Sequence, residues 1–245
     1  MDVKIHFHRW IYKISEYIIR MIYSITISEA FHTGEGSKVP RAFAGCAGGF
    51  PLPSLPAGHR LETDSYLVLI IGDNGSGKTT LLTKMSFQYQ FPLTTPEFVE
   101  CDSRGEKIVL GLVCYSTQMN EYGYSKTGSE AYKKDRRLPH YSQGEFRLDF
   151  MKRVLGAERP ASEVLLFDQP EDGVALKRRQ ELVDLMSTYA FEKKRQIFVA
   201  THEPRFLDVG GSLVINMDDH PASVCRAEDF DIENYARGML VEQLK

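Results

Sequence analysis

The chain has 245 residues, of which 42% are hydrophobic and 26% charged, and this composition excludes a wholly disordered protein. The formal net charge is -3, so no overall basic excess indicates a nucleic-acid-binding protein. Four cysteines without CxxC spacing, and no uncharged apolar stretch of the roughly 18 residues that a membrane span needs, predict a reduced, soluble, cytoplasmic protein.

The first 60 residues carry short, interrupted patterns. Residues 3–8 and 23–28 alternate apolar and polar side chains, which predicts strands, and the residues between them show helical spacing, so a strand-helix-strand unit and a meander both fit. Ten glycines and prolines interrupt residues 34–60, which predicts a long loop. We therefore assign residues 1–60 to an N-terminal β-containing portion that ends in this loop.

From Tyr66 onward, short apolar segments alternate with helical patterns. Helices are predicted to begin near Gly77 and to cover 144–155, 174–191 and 227–244. The predicted strands are 66–71, 107–115, 164–167, 196–200 and 212–217. This alternation predicts an α/β core over residues 61–245, with a mainly parallel sheet flanked by helices.

The most specific motif is Gly72–Thr79 (GDNGSGKT), which fits G-x-x-x-x-G-K-[ST] and lies between a predicted buried strand and a helix. Backbone N–H groups of such a turn, together with the helix N-terminus, bind phosphate oxygens. Lys78 would reach the β- and γ-phosphates and Thr79 would ligate Mg²⁺. The motif predicts ATP and Mg²⁺ as cofactors, with phosphate contacts from Gly72, Asn74, Gly75, Ser76, Gly77, Lys78, Thr79 and Thr80.

A second motif is Val164–Asp168 (VLLFD), in which four apolar residues end in an aspartate. A carboxylate at the C-terminal end of a buried strand can hold Mg²⁺ beside a phosphate loop. Asp168 comes ninety residues after Lys78, with a further predicted strand between them, and it is the predicted second metal ligand.

Four further features occur in a definite order. Gln118 comes at the end of a predicted strand, and Tyr141–Glu145 (YSQGE) precedes an amphipathic helix. Asp172 lies four residues after Asp168, and His202 follows another predicted strand. This order resembles that of the ATP-binding-cassette (ABC) ATPases, in which these features are the Q-loop glutamine, the signature motif, the D-loop and the switch histidine.

The resemblance implies a head-to-tail homodimer that binds two ATP molecules with Mg²⁺ at its interface. One subunit would contribute Lys78, Thr79, Gln118, Asp168 and His202, and the other Ser142, Gly144 and Glu145. Thr79, Asp168 and Gln118 would form the metal site. Because loss of the γ-phosphate would release the dimer, ATP would act as a switch.

Gln169 departs from this family pattern, because ABC ATPases usually carry there the glutamate that serves as general base. An amide cannot accept a proton from water at neutral pH. Three explanations compete. Gln169 is an engineered substitution that traps ATP, or it is native in a slow or binding-only ATPase, or Glu171 or Asp172 serves as the general base in its place. The run 168–172 (DQPED) resembles some ABC-type ATPases of bacterial phage-defence operons.

The interval between Gln118 and Ser142 is only 24 residues, which implies a reduced helical subdomain and argues against a transporter subunit. The chain therefore resembles the heads of soluble, non-transporter ABC ATPases. We expect a nucleotide-driven dimer or larger assembly that controls a protein effector, for example in anti-phage defence. The alternative is a DNA-repair or recombination ATPase head like that of RecF or Rad50, since the basic, tyrosine-rich segment 122–141 could touch nucleic acid. A non-enzymatic scaffold would require that ATP does not bind.

Overall fold

A computed structural model describes residues 21–33, 52–90, 97–104, 110–114, 143–156, 164–233 and 235. The elements in chain order are β1 (Ser24–Ile27), α1 (Ala30–Thr33), β2 (Arg60–Glu62), β3 (Leu67–Ile71), α2 (Lys78–Gln90), β4 (Val99–Asp102), β5 (Leu110–Cys114), α3 (Gln143–Gly156), β6 (Val164–Asp168), α4 (Arg179–Ser187), β7 (Ile197–Ala200), β8 (Leu213–Asn216) and β9 (Ser223–Arg226). Short 3-10 helices cover Leu176–Arg178, Pro204–Asp208 and Ala227–Asp229, and a π-helical turn, Thr188–Glu192, follows α4.

The main sheet has six strands in the order β5-β6-β7-β3-β8-β9. All neighbours are parallel except β9, which runs antiparallel to β8. Strand β7 lies between β3 and β6, although it follows both in the chain. Because parallel strands end at one edge, the segments that follow β3, β6 and β7 come together there.

Both faces of the main sheet are covered, as the continuous apolar strands predict. Strand β3 illustrates this, since all five of its residues are buried. Val68 and Ile70 pack in a core shared with α2 and with the strands of a smaller sheet. Leu67 and Leu69 face the opposite core, which α3 and α4 cover.

The smaller sheet is antiparallel and has the order β2-β1-β4. Ile25 of β1 pairs with Leu61 on one side and with Cys101 on the other. The strand predicted within residues 23–28 is therefore confirmed as β1. The predicted domain boundary between residues 60 and 61 lies inside β2, and β4 comes from the α/β portion.

The α/β predictions hold for the strands β3, β5, β6, β7 and β8 and for the helix α3. The helix predicted from Ala227 is wrong at its start, because Ala227–Asp229 form a 3-10 turn and helical residues begin only at Ile232. The helix predicted over 174–191 is interrupted, since it begins as a 3-10 turn at Leu176 and ends as a π-helical turn.

The patterns at residues 3–8 and 11–20, most of the predicted loop 34–60 and the interval 115–142 lie outside the described residues. No helix within the described ranges combines the length and the apolar character required to cross a bilayer.

Candidate functional site

The segment between β3 and α2 is a tight, glycine-dependent loop. Gly72, Gly75 and Gly77 have φ angles of 142°, 88° and 102°, which side-chain-bearing residues rarely adopt. A Cβ on Gly77 would lie 2.5 Å from Leu52 Cδ1, so this position also lacks room for a side chain. The predicted phosphate motif therefore has the left-handed turns and the open backbone that a phosphate-binding loop requires.

Lys78, the first residue of α2, folds back over this loop. The residue is 5% exposed, and its Nζ donates to Gly72 O at 2.6 Å and to Asp73 O at 2.8 Å. Burial lowers the pKa of Lys78, and the negative charges of Asp218 and Asp168 oppose that shift. An ammonium group held by neutral carbonyls is poised to exchange them for phosphate oxygens, which bind a cation more strongly.

Thr79 and Asp168 meet across the site. Asp168, the last residue of β6, is 5% exposed, and its Oδ1 accepts a hydrogen bond from Thr79 Oγ1 at 3.0 Å. A hydroxyl and a carboxylate are the hard oxygen ligands that Mg²⁺ prefers. These two predicted metal ligands therefore lie together and fit Mg²⁺ by the chemistry of their donors.

Glu171 turns back into the same edge of the sheet. The turn begins at Gln169, whose φ is 48° and whose N–H donates to Ala200 O at 2.8 Å. The Glu171 side chain is buried, and its Oε1 accepts from the His202 N–H at 2.7 Å. Its Oε2 is buried without a hydrogen-bond partner. Burial raises the pKa of Glu171.

His202 follows β7 and completes the edge. Its Nε2 is buried and has no hydrogen-bond partner. Burial lowers the pKa of His202, and the Lys78 charge lowers it further. Buried polar atoms are nearly always hydrogen-bonded in folded proteins. Glu171 and His202 each have one such unpartnered atom, at the edge that also carries Lys78. These two atoms therefore indicate a place for a ligand or a water molecule.

The predicted residues divide into those that the structure brings together and those outside its description. The loop from Gly72 to Thr79, Asp168, Gln169, Glu171 and His202 lie at one edge of the sheet. Asp172 is exposed beside them, and Thr80 lies in the first turn of α2. Gly144 and Glu145 lie in the first turn of α3, whereas Gln118 and Ser142 are outside the described residues.

Two residues at this edge are absent from the sequence-based site. Asp218 follows β8, and its Oδ1 accepts a hydrogen bond from the Asp73 N–H at 2.7 Å. The Tyr235 hydroxyl is buried, and burial raises the pKa of Tyr235 to about 12. An available signal for Asp218 was its place directly after a predicted parallel strand, since such strand ends share one edge.

The glycine loop, the carboxylate at the end of β6 and the strand β7 between β3 and β6 define an ABC-type P-loop ATPase domain. The chain belongs to the family described as "AAA domain, putative AbiEii toxin, Type IV TA system", whose sequence model matches residues 83–208, just over half of the chain. The match includes Asp168 and His202 and begins after the phosphate loop. The predicted fold class is thereby confirmed.

Matches of low identity among solved structures include ABC cassettes. One is cbiO1 from Clostridium perfringens, part of the ABC transporter complex cbiONQ, with a TM-score of 0.47, 14% identity and coverage of 91% of this chain and 95% of that chain. Another is the ATP-binding cassette MJ0796 in a dimeric post-hydrolysis state bound to ADP and Pi, with a TM-score of 0.41, 15% identity and coverage of 71% and 91%. No curated protein is significantly similar in sequence.

Proposed function

We propose that the chain binds ATP with Mg²⁺ at the loop Gly72–Thr79 and acts as a nucleotide-dependent dimerisation switch on a protein effector. The observation that carries this proposal is the edge formed by Lys78, Asp168, Glu171 and His202. It combines a buried cation, an oxygen pair suited to Mg²⁺ and two buried polar atoms without partners. A nucleoside triphosphate with its metal and an ordered water would satisfy all three.

The phosphate contacts follow from the geometry of the loop. Lys78 would transfer its hydrogen bonds from Gly72 O and Asp73 O to phosphate oxygens. The N-terminus of α2 begins at Lys78 and adds a positive partial charge at the same place. Thr79 and Asp168 would hold Mg²⁺, which neutralises phosphate charge when bound.

Hydrolysis requires a group that accepts a proton from water, and Gln169 lacks one. Of the two neighbouring acids, Glu171 is buried and has an unpartnered oxygen, whereas Asp172 is exposed. Burial raises the pKa of Glu171, which makes its carboxylate a stronger base. We therefore assign the candidate base to Glu171 and propose slow turnover with Gln169 as the native residue.

Dimerisation on ATP is proposed from the order of the sequence motifs, which resembles that of the ABC ATPases. Control of a protein effector is likewise proposed from that resemblance and from the short interval between Gln118 and Ser142. The nucleic-acid alternative rests on residues 122–141, outside the described ranges, and stays a prediction.

The test combines ATP binding, ATP turnover and molar mass by light scattering. The variants are Lys78→Ala, Gln169→Glu and Glu171→Gln, and the mass is measured with and without ATP and Mg²⁺. We expect tight binding by the wild type, slow turnover that Glu171→Gln abolishes, and a dimer that forms only with ATP. Fast turnover that appears only in Gln169→Glu would assign the base position to residue 169 instead. Absence of binding to the wild type would overturn the proposal.

A further inference from the structure

Asp218 lies at the candidate site but belongs to none of the motifs identified in the sequence. It follows β8, and its Oδ1 accepts the Asp73 N–H at 2.7 Å. Its own N–H donates to Asn216 Oδ1 at 3.2 Å, which helps to fix the turn that carries it. Asp218 thus connects the end of β8 to the second residue of the phosphate loop, although 145 positions separate the two residues in the chain.

The backbone of Asp73 is therefore held on both of its polar groups. Its N–H is bound by Asp218 and its carbonyl oxygen by Lys78 Nζ. Gly72 makes this approach possible, because a Cβ at that position would lie 2.9 Å from Asp218 Oδ1. The missing side chain at Gly72 therefore allows the carboxylate to reach the loop.

A bound nucleotide would affect these two contacts with the Asp73 backbone differently. The Lys78 ammonium would leave Asp73 O when it turns to a phosphate oxygen. The bond from Asp218 does not involve the ammonium, so it can persist throughout. Asp73 O also accepts the Ser76 N–H at 3.1 Å within the loop. Of the two side-chain contacts to the Asp73 backbone, only that of Asp218 can persist both with and without ligand.

We propose that Asp218 is a positioning residue that keeps the phosphate loop in its nucleotide-binding conformation by accepting the Asp73 N–H. This inference rests on the proposed function of the loop. The contribution assigned to Asp218 is that of an acceptor: its charge favours the protonated form of Lys78, but the same charge beside bound phosphates opposes their binding. Its exposure to solvent weakens that repulsion.

Two substitutions separate the acceptor from the charge. Asp218→Asn keeps an oxygen for the Asp73 N–H and removes the charge, whereas Asp218→Ala removes both. Asp219→Ala is the matched control, since the Asp219 carboxylate accepts instead from Ser223 Oγ. The measurements are calorimetric titration with ATP and Mg²⁺, and hydrogen exchange of the Asp73 amide by NMR without nucleotide.

We expect Asp218→Ala to weaken ATP binding about three- to tenfold and to speed exchange at Asp73 by a similar factor, the effect of one lost hydrogen bond. Asp218→Asn should bind ATP at least as tightly as the wild type and protect the amide, and Asp219→Ala should change neither quantity. Asp218→Asn as weak as Asp218→Ala, or Asp218→Ala as tight as the wild type, overturns the inference alone. A wild type that binds no ATP, or binds it no better than Lys78→Ala, overturns the proposed function and this inference with it.

Discussion

Polar side chains are buried at both ends of the parallel sheet, but they differ in how completely their polar atoms are hydrogen-bonded. At the amino end, Gln196 precedes β7 with 0% exposure, and its Oε1 accepts the Ile22 N–H at 2.7 Å. Its Nε2 donates to the carbonyls of Ile22, Thr63 and Ser65 at 2.8, 2.8 and 3.0 Å. At the carboxyl end, Glu171 and His202 each leave one buried polar atom without a partner.

This difference distinguishes the structural role of Gln196 from the proposed role of the candidate nucleotide site. Every polar group of the Gln196 amide is used, and its contacts join the segment before β1 to the main sheet. At the opposite edge, Glu171 Oε2 and His202 Nε2 are buried without a hydrogen bond that would offset their loss of hydration. Such uncompensated desolvation is typical of ligand-binding sites. Substitutions at the amino end should therefore reduce stability, and those at the carboxyl end should reduce binding.

Lys78→Ala should have the largest effect of the variants proposed, and it should impair ATP binding at the carboxyl end of the sheet without affecting the amino end. We expect roughly a hundredfold loss of ATP affinity, because the charge-assisted hydrogen bonds to phosphate disappear. Thermal stability should change little, since the loss of the bonds to Gly72 O and Asp73 O is offset by relief of a buried charge. Calorimetric titration with ATP and thermal unfolding check the two parts. A large fall in melting temperature would show that Lys78 is a structural residue.

Gln196→Met should show the reverse pattern. The variant keeps the volume but leaves the Ile22 N–H and the Thr63 and Ser65 carbonyls without this partner, so we expect a loss of about 2–4 kcal/mol in unfolding free energy. Urea denaturation measures it. Gln180→Met is the matched control, because Gln180 is exposed and its Nε2 donates to Asp184 Oδ1 within the same helix, and it should cost less than about 0.5 kcal/mol.

ATP affinity of the folded Gln196→Met protein should stay within about twofold of the wild type, because the two clusters lie at opposite ends of β7. An equal loss of stability in both glutamine variants would contradict the structural role of Gln196.

Sequence patterns predicted the strands of the main sheet because each is a continuous apolar segment flanked by loops. They missed β4, whose four residues include two acids, and β9, whose side chains are all at least partly exposed. Neither strand has the apolar pattern of a buried element, and both form through pairing with a distant or preceding strand, β1 or β8. Pairing with β8 also explains why the chain near residue 227 is not yet helical.

The candidate site was predictable where a motif is local and was missed where topology creates it. Lys78 and Asp168 follow from two short motifs. The bond from the His202 N–H to Glu171 requires β7 to lie beside β6, and the bond from the Asp73 N–H to Asp218 requires β8 to lie beside β3. A single sequence contains no strand order, so these contacts could not be derived from it.

Glu171→Gln should change stability less than Gln196→Met does, and in the opposite direction. Because burial raises the pKa of Glu171 above its unfolded value, ionisation is less favourable in the folded protein. The stability that the protonated acid provides is complete below the unfolded value, 4.5, and declines as pH rises through the folded value. The glutamine cannot ionise, yet it still offers an oxygen to the His202 N–H.

We therefore expect Glu171→Gln to melt about 2–4 °C above the wild type at neutral pH, and the difference to disappear as pH falls below the unfolded pKa. Thermal unfolding across pH measures this, with Glu192→Gln as the control at an exposed position, which should change the melting temperature little. A Glu171→Gln variant less stable than the wild type at neutral pH would mean that the carboxylate is satisfied within the protein. A more stable one that has also lost ATP turnover would show that this edge retains a buried acid for function at the expense of stability.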